Sequence, residues 1–256
     1  MYYAKKKPVK PESMKKVLIL IPCYNEENRF PKQVFHDFLL DSANTKVYFL
    51  FINDGSTDNT SVIVSELSND FEKCSFISLE RNVGKAEAIR AGMLSQQSKD
   101  FDYVGYFDAD LAAPLSQIEL LKLSIKQHEM PLMILGARIS LLGSTQINRK
   151  RSRHYIGRIF ATIVSNMLRL PIYDTQCGAK LIRKDLIPIV FKEKFISKWL
   201  FDVEILFRIK NNFNDAKSKI VEVPLKKWED VDGSKIGIFY FLRAPFDLLR
   251  IYFKYK

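Results

Sequence analysis

Asp108 and Asp110 stand one residue apart in the stretch YFDADLAAP. Carboxylates at that spacing, at the end of a strand, can both reach one hard divalent cation. Mg²⁺ or Mn²⁺ takes oxygen ligands and leaves phosphates and water to fill the rest of its shell. Lys85 closes the run ERNVGK, after Asn82 and Gly84. There the glycine lets backbone approach a phosphate, the lysine can pair with it, and the helix start that follows favours an anion. Asp54, in INDGS, can accept hydrogen bonds from a nucleobase, or shape the turn it shares with Gly55 and Ser56. Tyr24, in a run that also holds Pro22 and Glu26, offers a ring for a base to stack on or for the core to enclose. This inventory suits a nucleoside diphosphate held together with a metal ion.

The elements that must position these residues can be read from periodicity. Apolar runs at 17–21 (VLILI), 47–52 (VYFLFI), 76–79, 103–107 (YVGYF) and 133–135 predict buried strands. Helical spacing predicts helices at 28–40, 61–67, 84–97 and 115–127. Such alternation predicts an α/β fold with a mostly parallel, Rossmann-like sheet flanked by helices. The loop after each strand should lie along one rim, where open sheets bind ligands. Beyond that, helices are predicted at 155–170 and 200–211, a strand at 220–223, and a last helix from about 236 to 255. Residues 15–235 read as one domain, and residues 1–14 as a basic disordered tail.

Charge narrows the partners. The 256 residues carry 40 Lys plus Arg against 29 Asp plus Glu, a net +11. A chain so basic suits a polyanion: nucleic acid, an anionic membrane surface or a phosphorylated substrate. Residues 138–173 concentrate the effect, with seven basic residues and no acidic one. No helix-turn-helix, RNA-recognition or zinc-finger pattern accompanies them, which argues against nucleic acid. The three cysteines, Cys23, Cys74 and Cys177, are far apart and odd in number. They give neither a disulfide framework nor zinc spacing, and they fit a reducing cytosol. No run reaches the ~18–20 apolar residues that cross a bilayer. The last helix is apolar apart from a stripe of Arg243, Asp247, Arg250 and Lys254, and Pro245 should bend or divide it. An apolar face beside basic residues suits an amphipathic helix lying in a membrane interface, with packing on the protein's own core or on a second subunit as the alternative.

The segments IPCYNEEN, INDGSTDNT, ERNVGKAEAIRAG and YFDADLAAP resemble those of family 2 glycosyltransferases of GT-A fold. DTQCGAKLIRKD, WLFDVEIL and VPLKKWEDVDGSKI are similar to dolichyl-phosphate β-glucosyltransferases and, less closely, to polyprenyl-phosphate mannosyltransferases. The resemblance implies an inverting, metal-dependent transfer of a sugar from a nucleotide sugar to a polyprenyl phosphate, at the cytosolic face of a membrane. It implies that Pro22, Tyr24, Glu26 and Asp54 surround the nucleoside, with Asn82, Lys85 and Ala109 along the donor. Asp108 and Asp110 hold metal and diphosphate. Arg138, Lys235 and the cluster containing Arg149 and Arg153 meet the phosphates of donor or acceptor. Gln176 lines the sugar pocket and Asp202 lies near the acceptor.

Three departures qualify that picture. Asn53 stands where the family usually has Asp, and Ala112 where the mannosyl enzymes have a glutamine, which tilts the donor towards UDP-glucose and away from GDP-mannose. No counterpart of the membrane-spanning amino-terminal segment of the eukaryotic glucosyl enzymes is read in these residues, so the expectation is a peripheral enzyme or membrane contact made another way. A phosphate acceptor, largely dianionic at pH 7 with a second pKa of about 6, needs orientation and charge balance more than deprotonation. A sugar hydroxyl acceptor would instead need a base, with Asp202 and Glu204 as candidates. The rival readings are another nucleotide sugar or a saccharide acceptor on the same fold, and a non-catalytic protein that binds nucleotide sugars or anionic surfaces.

Overall fold

The computed structural model describes residues 15–95, 101–148, 151–231 and 238–256. The first half alternates as periodicity predicts: β1 (Val17–Cys23), α1 (Lys32–Leu40), β2 (Val47–Asn53), α2 (Thr60–Asp70), β3 (Cys74–Ser78), α3 (Lys85–Ser95), β4 (Tyr103–Phe107), α4 (Gln117–Gln127) and β5 (Met133–Ala137). The second half adds β6 (Gln146–Asn148), α5 (Arg151–Leu168), β7 (Ala179–Arg183), α6 (Ile187–Val190) and α7 (Phe201–Asn212). It ends with α8 (Ala216–Lys219), β8 (Ile220–Pro224), β9 (Lys227–Glu229) and α9 (Ile238–Tyr255). Helix α1 starts later than expected, at Lys32, because Pro31 precedes it and disfavours helical backbone at the residue before. The final helix is continuous through Pro245, so the proline does not divide it.

Seven strands form the main sheet in the order β3-β2-β1-β4-β7-β5-β8. Every pairing in it is parallel except those of β7, which runs antiparallel to both β4 and β5. The strands are apolar at consecutive positions because both faces are covered. Leu18, Leu20, Leu50, Ile52, Val104 and Tyr106 enter one core layer, shared with α3, α5, α6, α7 and α9. The alternate residues Val17, Ile19, Ile21, Phe49, Phe51 and Phe107 enter the other, shared with α1, α2 and α4. This is the two-residue period of a strand expressed on a sheet buried on both sides.

Sheet register explains the rim. Cys23 pairs with Asn53, and Asn53 with Ser78, so the loops leaving β1, β2 and β3 emerge side by side. Phe107, the last residue of β4, lies opposite Ala179, the first of β7. Because β7 is reversed, the loop entering it reaches the same edge that the parallel neighbours leave. The ends of β5 and β8, Ala137 and Pro224, pair there as well. Periodicity does not predict strand β7, because Lys180 interrupts the apolar run AKLIR, yet Lys180 is fully buried. The short parallel ribbon β6–β9 stands apart from the main sheet.

Candidate active site

The loops after β1 and β2 are laced together. Asn25, held at φ 48°, accepts the Thr57 N–H at 2.9 Å, and its own N–H donates to Ser56 Oγ at 3.0 Å. The Glu26 N–H donates to Thr60 Oγ1 at 2.7 Å, tying the same loop to the first residue of α2. The buried Glu26 carboxylate is gripped by Arg29, whose Nε and Nη2 donate to its two oxygens at 2.8 Å each. Pro22 is the penultimate residue of β1, and Tyr24, half-buried, follows directly after it at the rim.

Asp54 is buried, and its carboxylate is engaged by backbone. Its Oδ1 accepts the Val83 N–H at 2.8 Å and its Oδ2 the Gly84 N–H at 2.9 Å. Burial pushes its pKa up against the pull of those amides and of Lys198. Asp54 therefore anchors the loop holding Asn82 and presents α3, whose first residue is Lys85. Gly55, at φ 63°, is needed where that loop crosses, because a β-carbon there would overlap the backbone of Arg81 and Asn82. Asn53 donates from its side-chain amide to Ser78 Oγ at 2.9 Å and accepts the Ser56 N–H at 3.1 Å. An amide at this position joins the ends of β2 and β3.

The carboxylate pair sits just beyond β4. Lys85 Nζ makes an ion pair with Asp108 Oδ1, and the side chains are 24% and 28% exposed, so both remain open to solvent. Burial opposes the charge on Lys85, but the carboxylates of Asp108, Asp202 and Asp110 outweigh it and hold its pKa above the ordinary lysine value. Burial, and then the neighbouring Asp108, push Asp110 upward, although its Oδ1 accepts the Ala112 N–H at 3.1 Å. Leu111 adopts φ 51° in this turn, and Ala109 is buried. Gly178, entering β7, abuts Asp108 so closely that a β-carbon would overlap the carboxylate.

Two buried ionic groups lie behind this corner. Tyr106 and Lys180 are cross-strand partners, and both reach Asp202 on α7. The Tyr106 hydroxyl donates to Asp202 Oδ1, while Lys180 Nζ pairs with the same oxygen at 3.0 Å and also donates to the Cys177 carbonyl. Asp202, expected near the acceptor, is thus a buried anion neutralised by a buried lysine. Glu204, the other candidate base, is instead half of a salt bridge with Arg208 one turn further along α7. Fully buried, it accepts the Ile196 N–H at 2.8 Å, Arg208 Nη2 at 2.8 Å and the Tyr255 hydroxyl at 2.7 Å, a joint between α7 and α9.

Arg138 follows β5. Its Nε and Nη2 donate to the two oxygens of Asp174 at 2.6 and 2.8 Å, and its guanidinium lies 4.9 Å from the Trp228 ring centroid. Burial works against both charges, but each holds the other ionised: Asp174 is lowered and Arg138 raised. Glu222, on β8, fixes the loop by accepting the N–H groups of Tyr173 and Asp174 at 2.7 and 2.8 Å. Gln176 donates its backbone N–H to Asp174 at 3.2 Å, and its buried Nε2 meets no protein acceptor among the described residues. Cys177 is fully buried, and burial lifts its thiol to about 12, in keeping with a packing role. Arg149 and Lys235 lie outside the described residues, and so does the side chain of Arg153. The structure brings together Tyr24, Glu26, Asp54, Lys85, Asp108, Asp110, Arg138 and Gln176 along one rim. The residues missed by sequence reasoning are Asp174, Lys180, Glu222 and Gly178, the first three being partners rather than exposed chemistry.

The donor set fits a divalent cation. Asp108 and Asp110 offer hard oxygen donors on one turn, their mutual repulsion is part of what raises Asp110, and the bare Gly178 leaves room for the Asp108 carboxylate. Among the described residues no group of three or more His, Cys, Asp or Glu side chains could hold a metal ion unaided. Phosphate oxygens and water must complete any shell.

The architecture matches solved structures of glucosyl-3-phosphoglycerate synthase from Mycobacterium tuberculosis. The complex with Mn²⁺, UDP and glucosyl-3-phosphoglycerate gives a TM-score of 0.69 at 15% identity, covering 93% of this chain and 80% of that one. The complex with Mn²⁺, UDP-glucose and phosphoglyceric acid gives 0.67 at 15% identity, with the same coverage. Sheet order, rim and these likenesses define the class as the GT-A fold. Residues 18–189 match the profile of glycosyl transferase family 2, and the chain belongs to that family: it is a glycosyltransferase. Among its relatives, a dolichyl-phosphate beta-glucosyltransferase of Trichomonas vaginalis is 29% identical over 255 residues, covering 94% of this chain and 74% of the relative. The Saccharomyces cerevisiae enzyme of that name is 30% identical over 237 residues, covering 86% and 69%. The Homo sapiens enzyme is 28% identical over 255 residues, covering 94% and 76%.

Proposed function

We propose that this glycosyltransferase moves glucose from UDP-glucose to a polyprenyl phosphate, with inversion, in a reaction that needs Mg²⁺ or Mn²⁺. The observation that carries the reading is the corner where Lys85, Asp108 and Asp110 meet against Gly178 at the rim. Asp108 and Asp110 would hold the cation, which when bound supplies positive charge against the departing diphosphate. Lys85, kept protonated by its carboxylate neighbours, adds a preorganised positive charge beside them. Tyr24 and the loop anchored by Asp54 border the nucleoside, with Pro22, Glu26, Asn82 and Ala109 shaping its walls. Gln176, whose side-chain amide keeps an unused donor, faces the sugar.

The acceptor assignment rests on the names of the relatives and on the acid-free basic stretch at 138–173. Asp174 occupies Nε and one Nη2 donor of the five-donor Arg138 guanidinium, which leaves others for a phosphate. Arg149, Arg153 and Lys235 would add charge from the neighbouring segments. Asp202, already paired with Lys180, shapes the acceptor side electrostatically, and an ionised phosphate acceptor needs no base from it. No helix among the described residues is long and apolar enough to cross a membrane. Helix α9 packs Leu248 and Ile251 inward and turns Phe246 and Phe253 outward beside Arg250, a face suited to peripheral contact with the cytosolic leaflet.

A panel of UDP- and GDP-sugars, offered with a short-chain prenyl phosphate and either Mg²⁺ or Mn²⁺, tests the reading. Label should enter the lipid phase from UDP-glucose alone and only with metal. Lipid labelled from GDP-mannose alone would overturn the donor, and metal-independent labelling would overturn the role given to Asp108 and Asp110.

A further inference from the structure

Lys198 stands three residues before α7, in the segment that joins that helix to α6. Its backbone is fixed from both sides. The Phe195 N–H donates to Glu87 Oε1 on α3 at 3.0 Å, and the Ile196 N–H donates to Glu204 Oε2 at 2.8 Å. The buried Ser197 hydroxyl accepts the N–H groups of Trp199 and Leu200 at 3.4 and 3.2 Å, much as a helix cap would. The segment carrying Lys198 is thereby tied both to α3 and to α7.

The side chain of Lys198 lies over the glycine that precedes Lys85. A β-carbon on Gly84 would meet Lys198 Cδ at 3.2 Å, Cγ at 3.6 Å and Cβ at 3.8 Å. Gly84 also takes φ 91°, so a glycine there serves both the turn into α3 and the seat for this stem. Lys198 is exposed, and among the described residues its ammonium joins no ion pair or hydrogen bond. Its charge draws the Asp54 pKa down, yet both Asp54 oxygens already accept backbone amides. Lys85, the neighbouring cation, is paired with Asp108. Seating a lysine stem costs rotamer entropy, which hydration of the ammonium alone does not require.

We propose that Lys198 binds a substrate phosphate at the rim, as a second cation beside Lys85. The inference rests on the proposed reaction, in which a donor diphosphate and an acceptor monophosphate meet at this rim. Both present the same chemistry, anionic oxygens that accept N–H bonds from an ammonium carrying three donors. Lys198 brings to them a charge that no carboxylate among the described residues takes up in an ion pair, on a stem already held in place.

The test is isothermal titration of the full chain with UDP plus Mn²⁺, with a short-chain prenyl phosphate, and with uridine. Lys198→Ala should weaken UDP or prenyl phosphate by about tenfold, the worth of one hydrogen bond to a charged group. Loss confined to UDP assigns the lysine to the donor, and loss confined to prenyl phosphate assigns it to the acceptor. Lys198→Arg, which keeps the charge, should stay close to wild type, as should Lys192→Ala, which removes an exposed lysine from the preceding loop. Uridine affinity and melting temperature should not change in Lys198→Ala. Wild-type affinity of Lys198→Ala for both phosphates would overturn the proposal. An equal loss in Lys192→Ala would do so too, since bulk charge would then explain the effect, and a matching loss for uridine would move the lysine from phosphate to nucleoside. Wild type that binds neither phosphate would sink the proposed reaction together with this inference, whereas wild type that binds both beside an unimpaired Lys198→Ala sinks the inference alone.

Discussion

Replacing Asp174 by Asn tests whether Arg138 is built into the fold before it meets any phosphate. The side chains are 11% and 10% exposed, and two hydrogen bonds at 2.6 and 2.8 Å join them. Asn keeps the size but sets an NH₂ group against a guanidinium and leaves the cation uncompensated. Removing one partner of a buried pair costs about 3–5 kcal/mol. For a chain of this length, each kcal/mol lowers the melting temperature by about 2–4 °C, so the loss should be about 6–20 °C. Thermal unfolding followed by near-UV circular dichroism reads it directly. The double variant Arg138→Met/Asp174→Leu should recover more than half of the loss, since it leaves no orphaned charge. The pH dependence has a definite sign. The folded state holds Asp174 below its usual 3.8, so the pair contributes fully above that pH and loses its contribution as pH falls through the lower folded value. The gap between wild type and Asp174→Asn should close in that acid range. A shift below about 2 °C at pH 7, set against the several kcal/mol expected of a buried pair, would refute the reasoning, as would a double variant no better than the single.

Gly178→Ala should cut Mn²⁺ binding, followed by electron paramagnetic resonance with UDP present, by more than tenfold while the fold persists, because its β-carbon would displace the Asp108 carboxylate. Unchanged Mn²⁺ affinity would remove Asp108 from the cation site. Lys180→Met should destabilise by about 3–5 kcal/mol in urea unfolding, because Asp202 is left buried and unpaired. Pairing it with Asp202→Asn should restore most of that, and a lack of coupling between the two would show that the ion pair contributes little.

Much of the site was legible from residue types alone. The Asp108–Asp110 spacing, the glycine before Lys85 and the four early strands all lie in short windows, where local pattern reports local structure. Alternating periods also implied that the loops after those strands share a rim, and register confirms it. Asp54 reads as a partner for a base or as a turn residue beside Gly55 and Ser56, whereas the contacts of its carboxylate are the amides of Val83 and Gly84, about thirty residues away in sequence. Glu204 reads either as a candidate base or as a helix-face salt bridge; the structure pairs it with Arg208 one turn on, and only its other partner Tyr255, 51 residues away, gives no local signal.

Local pattern therefore shows which chemistry-bearing residue types stand at the strand ends, and the tertiary fold decides which charges are paired off in the core. Tyr106 and Asp202 are 96 residues apart, and Arg138 and Asp174 are 36 apart. Strand β7 carries no clear periodic signal because a lysine stands second among its five residues, and only the reversed insertion between β4 and β5 shows that Asp202 neutralises that lysine. The physical reason is general. Periodicity records whether a side chain faces water or core, whereas an ion pair depends on two distant segments meeting, and no single window of sequence contains both.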